Sequence, residues 1–193
     1  MAENELTETE MRQALMDQLQ DRNLTEKLEN QISSDIAVNV GEKVNIPYKI
    51  WLEPRDGLSK PRLQVRHFEQ DIVFYTETTI SDKNHLNLFN TTDPQIQVPL
   101  CILEMKRSGM TTENTLAYSS KAQQIKSIFP FSRYIVVTGN ERKRKWEFHG
   151  EHFDMVRSLG GQHPDDWNVD AIEDELRDQF EIISDEIKTF ESR

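Results

Sequence analysis

Cysteine, basic charge and long apolar runs are all scarce in this chain, and each scarcity excludes something. A single cysteine, Cys101, stands among 193 residues. It cannot form an internal disulfide, and a lone thiol within an apolar run behaves as a small hydrophobe. A reducing, cytoplasmic setting is the expectation. No apolar run approaches the roughly 20 residues that a membrane helix needs, so no membrane partner is expected. The first residues are acidic and polar, which is not the pattern of a secretion signal. Lys and Arg number 23 against 34 Asp and Glu, for a net charge of −11. That balance argues against a surface made for nucleic acid throughout. Helix-turn-helix and zinc-finger signatures, internal repeats and low-complexity tracts are also missing.

The charge is unevenly spread. Residues 1–40 carry a net of −6 and residues 165–193 a net of −8, whereas residues 41–164 carry +3. Acidic ends flank a mildly basic centre, which leaves room for a phosphate-facing surface. The length suits one domain with a real core, divided into an N-terminal helical segment (1–40), a core (41–150) and a C-terminal amphipathic helix (165–193). Met11, Leu15 and Leu19, then Leu24, Leu28, Ile32 and Ile36, recur at helical spacing, with Asn23 as a cap or break between them. Lys43–Leu52 alternates like a strand, and Pro47 marks it as an edge or bend. Leu63–Thr76 reads as a second strand, and residues 77–97 as a long polar connection. Residues 98–106 form a third strand. Thr111–Phe129 reads as a helix stopped by Pro130, and Arg133–Thr138 as a buried strand with a parallel-type apolar run. Lys145–His149 suggests a fifth strand, and residues 150–168 look irregular. From Val169 to Phe190 apolar residues follow a 3/4 spacing, the mark of a core or dimer face.

The informative stretch is Val98-Pro-Leu-Cys-Ile-Leu-Glu-Met-Lys-Arg107, a buried strand that closes on opposite charges. Side chains alternate along a strand, so Glu104 and Lys106 share one face while Leu103 and Met105 share the other. Three Asp/Glu-x-Lys triplets occur in the chain, but only this one closes an apolar strand. Charge at such a place needs a partner, because burying it alone is costly. Asp71, on the preceding strand, can lie beside Glu104 if the two strands are neighbours. Two carboxylates and the carbonyl of Met105 then offer hard oxygen ligands of the kind Mg²⁺ takes. A metal held there can activate water and stabilise charge building on a phosphate. The plainer alternative is a surface ion-pair cluster contributing about 0–1 kcal/mol.

The order helix, three strands, helix, strand, with Asp71 in Gln-Asp-Ile-Val-Phe-Tyr and Glu104-Met-Lys106 on the next strand, resembles the PD-(D/E)xK nuclease superfamily. The strand is similar to those of type II restriction enzymes and type I restriction nuclease domains. The resemblance covers roughly residues 20–140. It implies an α/β, restriction-endonuclease-like fold: an αβββαβ core with a central mixed sheet, flanked by helices and extended by N- and C-terminal ones. It also implies Mg²⁺-dependent endonuclease activity on DNA, with Mn²⁺ as an alternative ion, in restriction or phage defence. Asp71 and Glu104 are then metal ligands, and Lys106 is a catalytic base or charge stabiliser. Gln123 or Gln124 on the following helix is a secondary catalytic candidate, and Glu29 a weaker acidic one. Gln70 replaces the usual proline before Asp71.

Other signals stand apart from that set. Arg142, Lys143, Arg144 and Lys145 are candidates for gripping DNA phosphates, or a solvated turn. Arg55, Lys60, Arg62 and Arg66 carry the same ambiguity. His149 and His152, with His163 later, have loose metal-ligand spacing but no cysteine beside them. One site cuts one strand, so a homodimer or a partner subunit is expected for duplex cleavage. The alternative to an enzyme is a non-catalytic interaction or regulatory module on the same fold, or a catalytic subunit that needs a separate DNA-reading subunit.

Overall fold

The computed structural model describes residues 6–32, 36–54, 62–79, 95–107, 111–139, 152–161 and 163–191. Two helices open it, α1 (Glu8–Asp21) and α2 (Leu24–Ile32). Thr7 caps α1 by accepting from the Glu10 amide at 3.2 Å, and Glu10 reaches back to the Thr7 amide at 2.8 Å, a reciprocal capping box. Asn23 separates the helices at φ 51°, a left-handed conformation that asparagine tolerates better than most residues.

Three strands follow, β1 (Asn39–Glu53), β2 (Arg62–Thr79) and β3 (Gln95–Lys106). Helix α3 (Thr112–Lys126) leads to β4 (Arg133–Thr138) and β5 (Met155–Ser158). A short 3₁₀ turn at Pro164–Asp166 precedes α4 (Val169–Glu191). The sheet order is β1-β2-β3-β4-β5. The β1–β2 and β2–β3 pairs are antiparallel, whereas β3–β4 and β4–β5 are parallel. A parallel neighbour requires a crossover, and α3 supplies it between β3 and β4. The expected αβββαβ order and mixed sheet are therefore present.

Strand alternation sorts the core into two layers. Ile72, Phe74, Cys101, Leu103, Met105, Ile135 and Val137 pack against α1, α2 and α4. Val73, Ile102, Tyr134 and Val136 pack against Ala122 and Ile125 of α3. Phe74 meets Phe180 of α4 edge to face, centroids 6.0 Å apart at 84°. The C-terminal stripe is thus core: Ile172, Leu176, Phe180 and Ile183 are all buried.

Several sequence expectations shift. The fifth strand is Met155–Ser158, inside the stretch expected to be irregular; residues 145–149 lie outside the described residues. β5 is four residues long and ends in Arg157 and Ser158, so it lacks an apolar run to announce it. β1 starts earlier than expected, at Asn39, and Gly41 lies within it. Its alternation is also broken twice. Val40 packs toward α1 and Val44 toward α3, on either side of Lys43 at φ 50°. A register shift then falls between Pro47 and Lys49, as the proline suggested.

On the helical layer, Glu173 of α4 gathers Lys27 at 2.9 Å, Arg22 at 3.2 Å and Arg177 at 2.7 Å. The Lys27 hydrogen bond above all, supported by Arg177 and Arg22 against the opposing effect of burial, holds its carboxyl at about 2. A carboxyl lowered on folding adds stability above its unfolded value, and that stability disappears as pH falls toward the folded one. Glu173→Gln is therefore expected to reduce the loss of stability between pH 4.5 and about 2. Urea midpoints at several pH values measure it; parallel curves for both proteins would contradict it.

Candidate active site

The last three residues of β3 organise the site. β2 pairs with β3 as far as Ile72 opposite Leu103, which brings Asp71 alongside Glu104. Beyond that point β2 leaves β3, and the freed Met105 amide donates to Asp71 Oδ2 at 2.9 Å. Side-chain parity in β2 reverses here. Ile72 packs toward α1, yet Gln70 reaches Tyr134 on the α3 side. Asp71 lies at the reversal, between the two faces. The end of β4 is held against the end of β3 by Gly139, whose amide donates to the Lys106 carbonyl at 2.9 Å. A Cβ there would lie 2.6 Å from the Arg107 carbonyl oxygen, so only glycine permits that approach.

Glu104 is 5 % exposed and faces α3. Lys121 Nζ lies 3.3 Å from both of its carboxylate oxygens, and the Tyr134 hydroxyl lies 3.2 Å from Oε2. Tyr134 is fixed in turn by Asp154, which accepts its amide at 2.6 Å. Burial raises the Glu104 pKa, Lys121 opposes that, and the neighbouring Asp71 charge adds to it. The two acids therefore feel each other, as two carboxylates sharing a site do. The Tyr134 hydroxyl also lies 3.2 Å from the Gln70 amide. A hydroxyl carries one proton, so Tyr134 donates to Glu104 only if Gln70 donates to Tyr134. In either orientation one amide atom of the buried Gln70 has no partner among the described residues, a place a bound water can fill.

Lys106 shares the α3 face with Glu104, as alternation required. Its ammonium lies 5.2 Å from the Tyr118 ring centroid and 3.0 Å from Glu8 at the start of α1. Burial works against its charge, but the Tyr118 and Glu8 contacts outweigh it, and its pKa is raised. Such an amine keeps its proton in the metal-free protein, which suits stabilisation of negative charge. Helix α1 also reaches Asp71: Arg12 donates to Asp71 Oδ1 at 3.2 Å and to Glu42 at 2.9 Å. Glu8 and Arg12 stand one helical turn apart, and each meets an opposite charge of the site.

The structure brings Asp71, Glu104, Met105 and Lys106 together. It does not bring Gln123 to them: Gln123 is exposed on α3, and Gln124 donates to Ser120. Lys121 is the α3 residue that reaches Glu104. Glu29 lies elsewhere, accepting the Val38 amide at 2.7 Å. Arg142, Lys143, Arg144 and Lys145 lie outside the described residues, as do Arg55, Lys60 and His149. His152 donates its amide to Ser119 at 3.4 Å. Among the described residues, no three His, Cys, Asp or Glu side chains gather as a metal cage. Two carboxylates and one carbonyl nonetheless fit a hard cation that keeps several waters, as Mg²⁺ does. Sequence reasoning passed over Arg12, Glu8, Lys121, Tyr134 and Gln70. Lys121 had a signal, since it flanks the Tyr118-Ala122-Ile125 stripe.

No protein family matches the chain by sequence, and no curated protein does. Among solved structures, a chain of the native BbvCI A2B2 tetramer at low resolution superposes with a TM-score of 0.52 at 13 % identity. The match covers 75 % of this chain and 58 % of the BbvCI chain. The fold is thus restriction-endonuclease-like, as the sequence resemblance implied. No helix among the described residues is long and apolar enough to cross a membrane.

Proposed function

We propose that the protein is a divalent-metal-dependent DNA endonuclease of the PD-(D/E)xK type. The observation that carries this reading is the cross-strand placement of Asp71 beside Glu104 at the end of β3, with Lys106 and Lys121 around them. Asp71, Glu104 and the Met105 carbonyl would hold Mg²⁺, or Mn²⁺ in its place. Bound there, the ion supplies Lewis-acid activation of a water and neutralises charge on the phosphate. The chain's own residues do the rest. Lys106, held protonated by Tyr118 and Glu8, stabilises the negative charge of the phosphate. Lys121 and Tyr134 orient Glu104 from the α3 side and oppose the effect of burial on its carboxyl. Gln70, behind Tyr134, positions that hydroxyl. One such site cuts one strand, so duplex cleavage calls for a second copy or a partner subunit. A restriction or phage-defence role, in the cytoplasm, is the setting this reading supports.

A second reading has its own support. Arg12 and Glu8 already answer the charges of Asp71 and Lys106, as they would in a fold kept for protein interaction and not for catalysis. The test is direct. Wild-type protein is incubated with supercoiled plasmid in Mg²⁺, in Mn²⁺ and in EDTA. Nicked circles that require metal support the nuclease; intact plasmid under both metals, with folded protein, rejects it. In parallel, Mg²⁺ is expected to raise the melting temperature of wild type and not of Asp71→Asn, since a ligand stabilises only the state that binds it.

A further inference from the structure

Beyond the acids, β1 and β2 continue as a two-stranded ribbon. The β2–β3 ladder ends at Ile72 opposite Leu103, but β1–β2 pairing runs on to Glu53 opposite Arg62. On β2, Gln70, Phe68, Arg66 and Gln64 follow at i, i−2 steps and so share a face. Gln70 fixes that face as the Glu104 side through Tyr134, and Phe68 lies 5.9 Å from Lys121 Nζ. On β1 the extra residue at Tyr48 resets the alternation. Tyr48 stacks on Phe68 with centroids 3.9 Å apart, and Lys49 then pairs opposite Arg66 and Trp51 opposite Gln64. Lys49 and Trp51 are thereby carried onto the same face.

Two cations directly opposite each other on neighbouring strands repel. Here both also lie over one indole: Lys49 is 5.6 Å and Arg66 5.4 Å from the Trp51 centroid. Both cations are exposed. This exposed pair lies in the central segment of net charge +3, and a polyanion would relieve its repulsion. The five residue steps from Asp71 to Arg66 span about 17 Å of strand, roughly half of the 34 Å turn of a DNA duplex.

We infer that the β1–β2 ribbon, through Lys49, Arg66 and Trp51, is a backbone grip for duplex DNA that runs along one groove edge outward from the acid pair. The inference rests on the nuclease reading and names the surface that holds its substrate. Lys49 and Arg66 contact phosphates, and Trp51 keeps both side chains extended along the ribbon, so ordering them on binding costs less. Gln64 continues the same line and meets Glu53 at 2.7 Å.

The experiment measures binding of the full chain in EDTA, where nothing is cut, to a fluorescent 30-base-pair duplex and to the matching single strand. Affinity is followed across a salt series for wild type, Lys49→Gln/Arg66→Gln and Trp51→Leu. Each phosphate contact contributes about 0.9 to the slope of log affinity against log salt. The double variant is expected to lower that slope by about 1.8 and to weaken binding about tenfold at low salt. Trp51→Leu is expected to weaken binding less, with the slope retained. Circular dichroism and unchanged melting confirm the fold, since both cations are exposed. A double variant that binds the duplex as wild type does, with the same slope, overturns the ribbon and leaves the nuclease reading standing. Tighter binding to the single strand through the same residues overturns the assignment to duplex. Wild type that binds neither probe overturns the ribbon, and the nuclease reading then stands or falls on plasmid nicking in Mg²⁺ and Mn²⁺.

Discussion

Glu104→Gln is expected to abolish metal-dependent plasmid cleavage while leaving the protein folded. The substitution keeps the shape of the side chain and removes its negative charge. Losing only an outer partner of a metal ligand generally costs about 10–100-fold, so losing the ligand's own charge is expected to cost at least about a hundredfold. The stability consequence runs the other way. Burial raises the Glu104 pKa, with Lys121 opposing it. A carboxyl raised on folding weakens the native state once pH exceeds the unfolded value, and that penalty is absent at lower pH. Glu104→Gln removes the penalty, so in EDTA its melting temperature at neutral pH should equal or exceed that of wild type. A Gln variant that still nicks plasmid at wild-type rate would remove Glu104 from the chemistry. One that melts far below wild type would show the residue to be structural.

Arg12→Met is expected to separate stability from metal response. Arg12 has a side chain only 8 % exposed, and it bridges Glu42 and Asp71. Breaking a buried pair by removing one partner costs about 3–5 kcal/mol. Asp71 and Glu42 keep 26 % and 21 % of their side-chain exposure, so water offsets part of that, and about 2–3 kcal/mol is expected. For a chain of this size that corresponds to a melting point lower by roughly 5–10 °C. With Arg12 gone, Asp71 Oδ1 no longer has a cation beside it. The rise in melting temperature on adding Mg²⁺ should therefore be larger than in wild type. Thermal melts of both proteins across a Mg²⁺ series measure it. A smaller rise would mean that Arg12 assists the cation instead of competing with it.

The elements around these residues were unequally legible in the sequence. Val98–Arg107 announced itself because a buried strand ending in paired charges has few explanations. The faces of Leu103, Glu104, Met105 and Lys106 followed from alternation alone. The 3/4 spacing from Val169 onward placed α4 in the core register it occupies. What sequence could not supply was the tertiary destination of polar side chains. Glu8 and Arg12, four apart with opposite signs, look like an ordinary intrahelical pair on a solvated face. They diverge instead, to Lys106 and Asp71, because α1 packs across the sheet end where those groups emerge. Gln123 and Lys121 sit two apart on α3, and only the docked angle of that helix decides which one meets Glu104. In β1, Val44, Ile46, Tyr48, Ile50 and Leu52 read as one continuous face. The extra residue at Tyr48 divides it, and that device has no signature stronger than Pro47.

The position of Cys101 gives the protein a reporter of its own. The thiol is fully shielded in β3, the middle strand of five, with helices over both faces of the sheet. A maleimide added in excess should therefore react only when the whole sheet opens, and its rate in native buffer clocks the rarest excursion of the molecule without any engineered label.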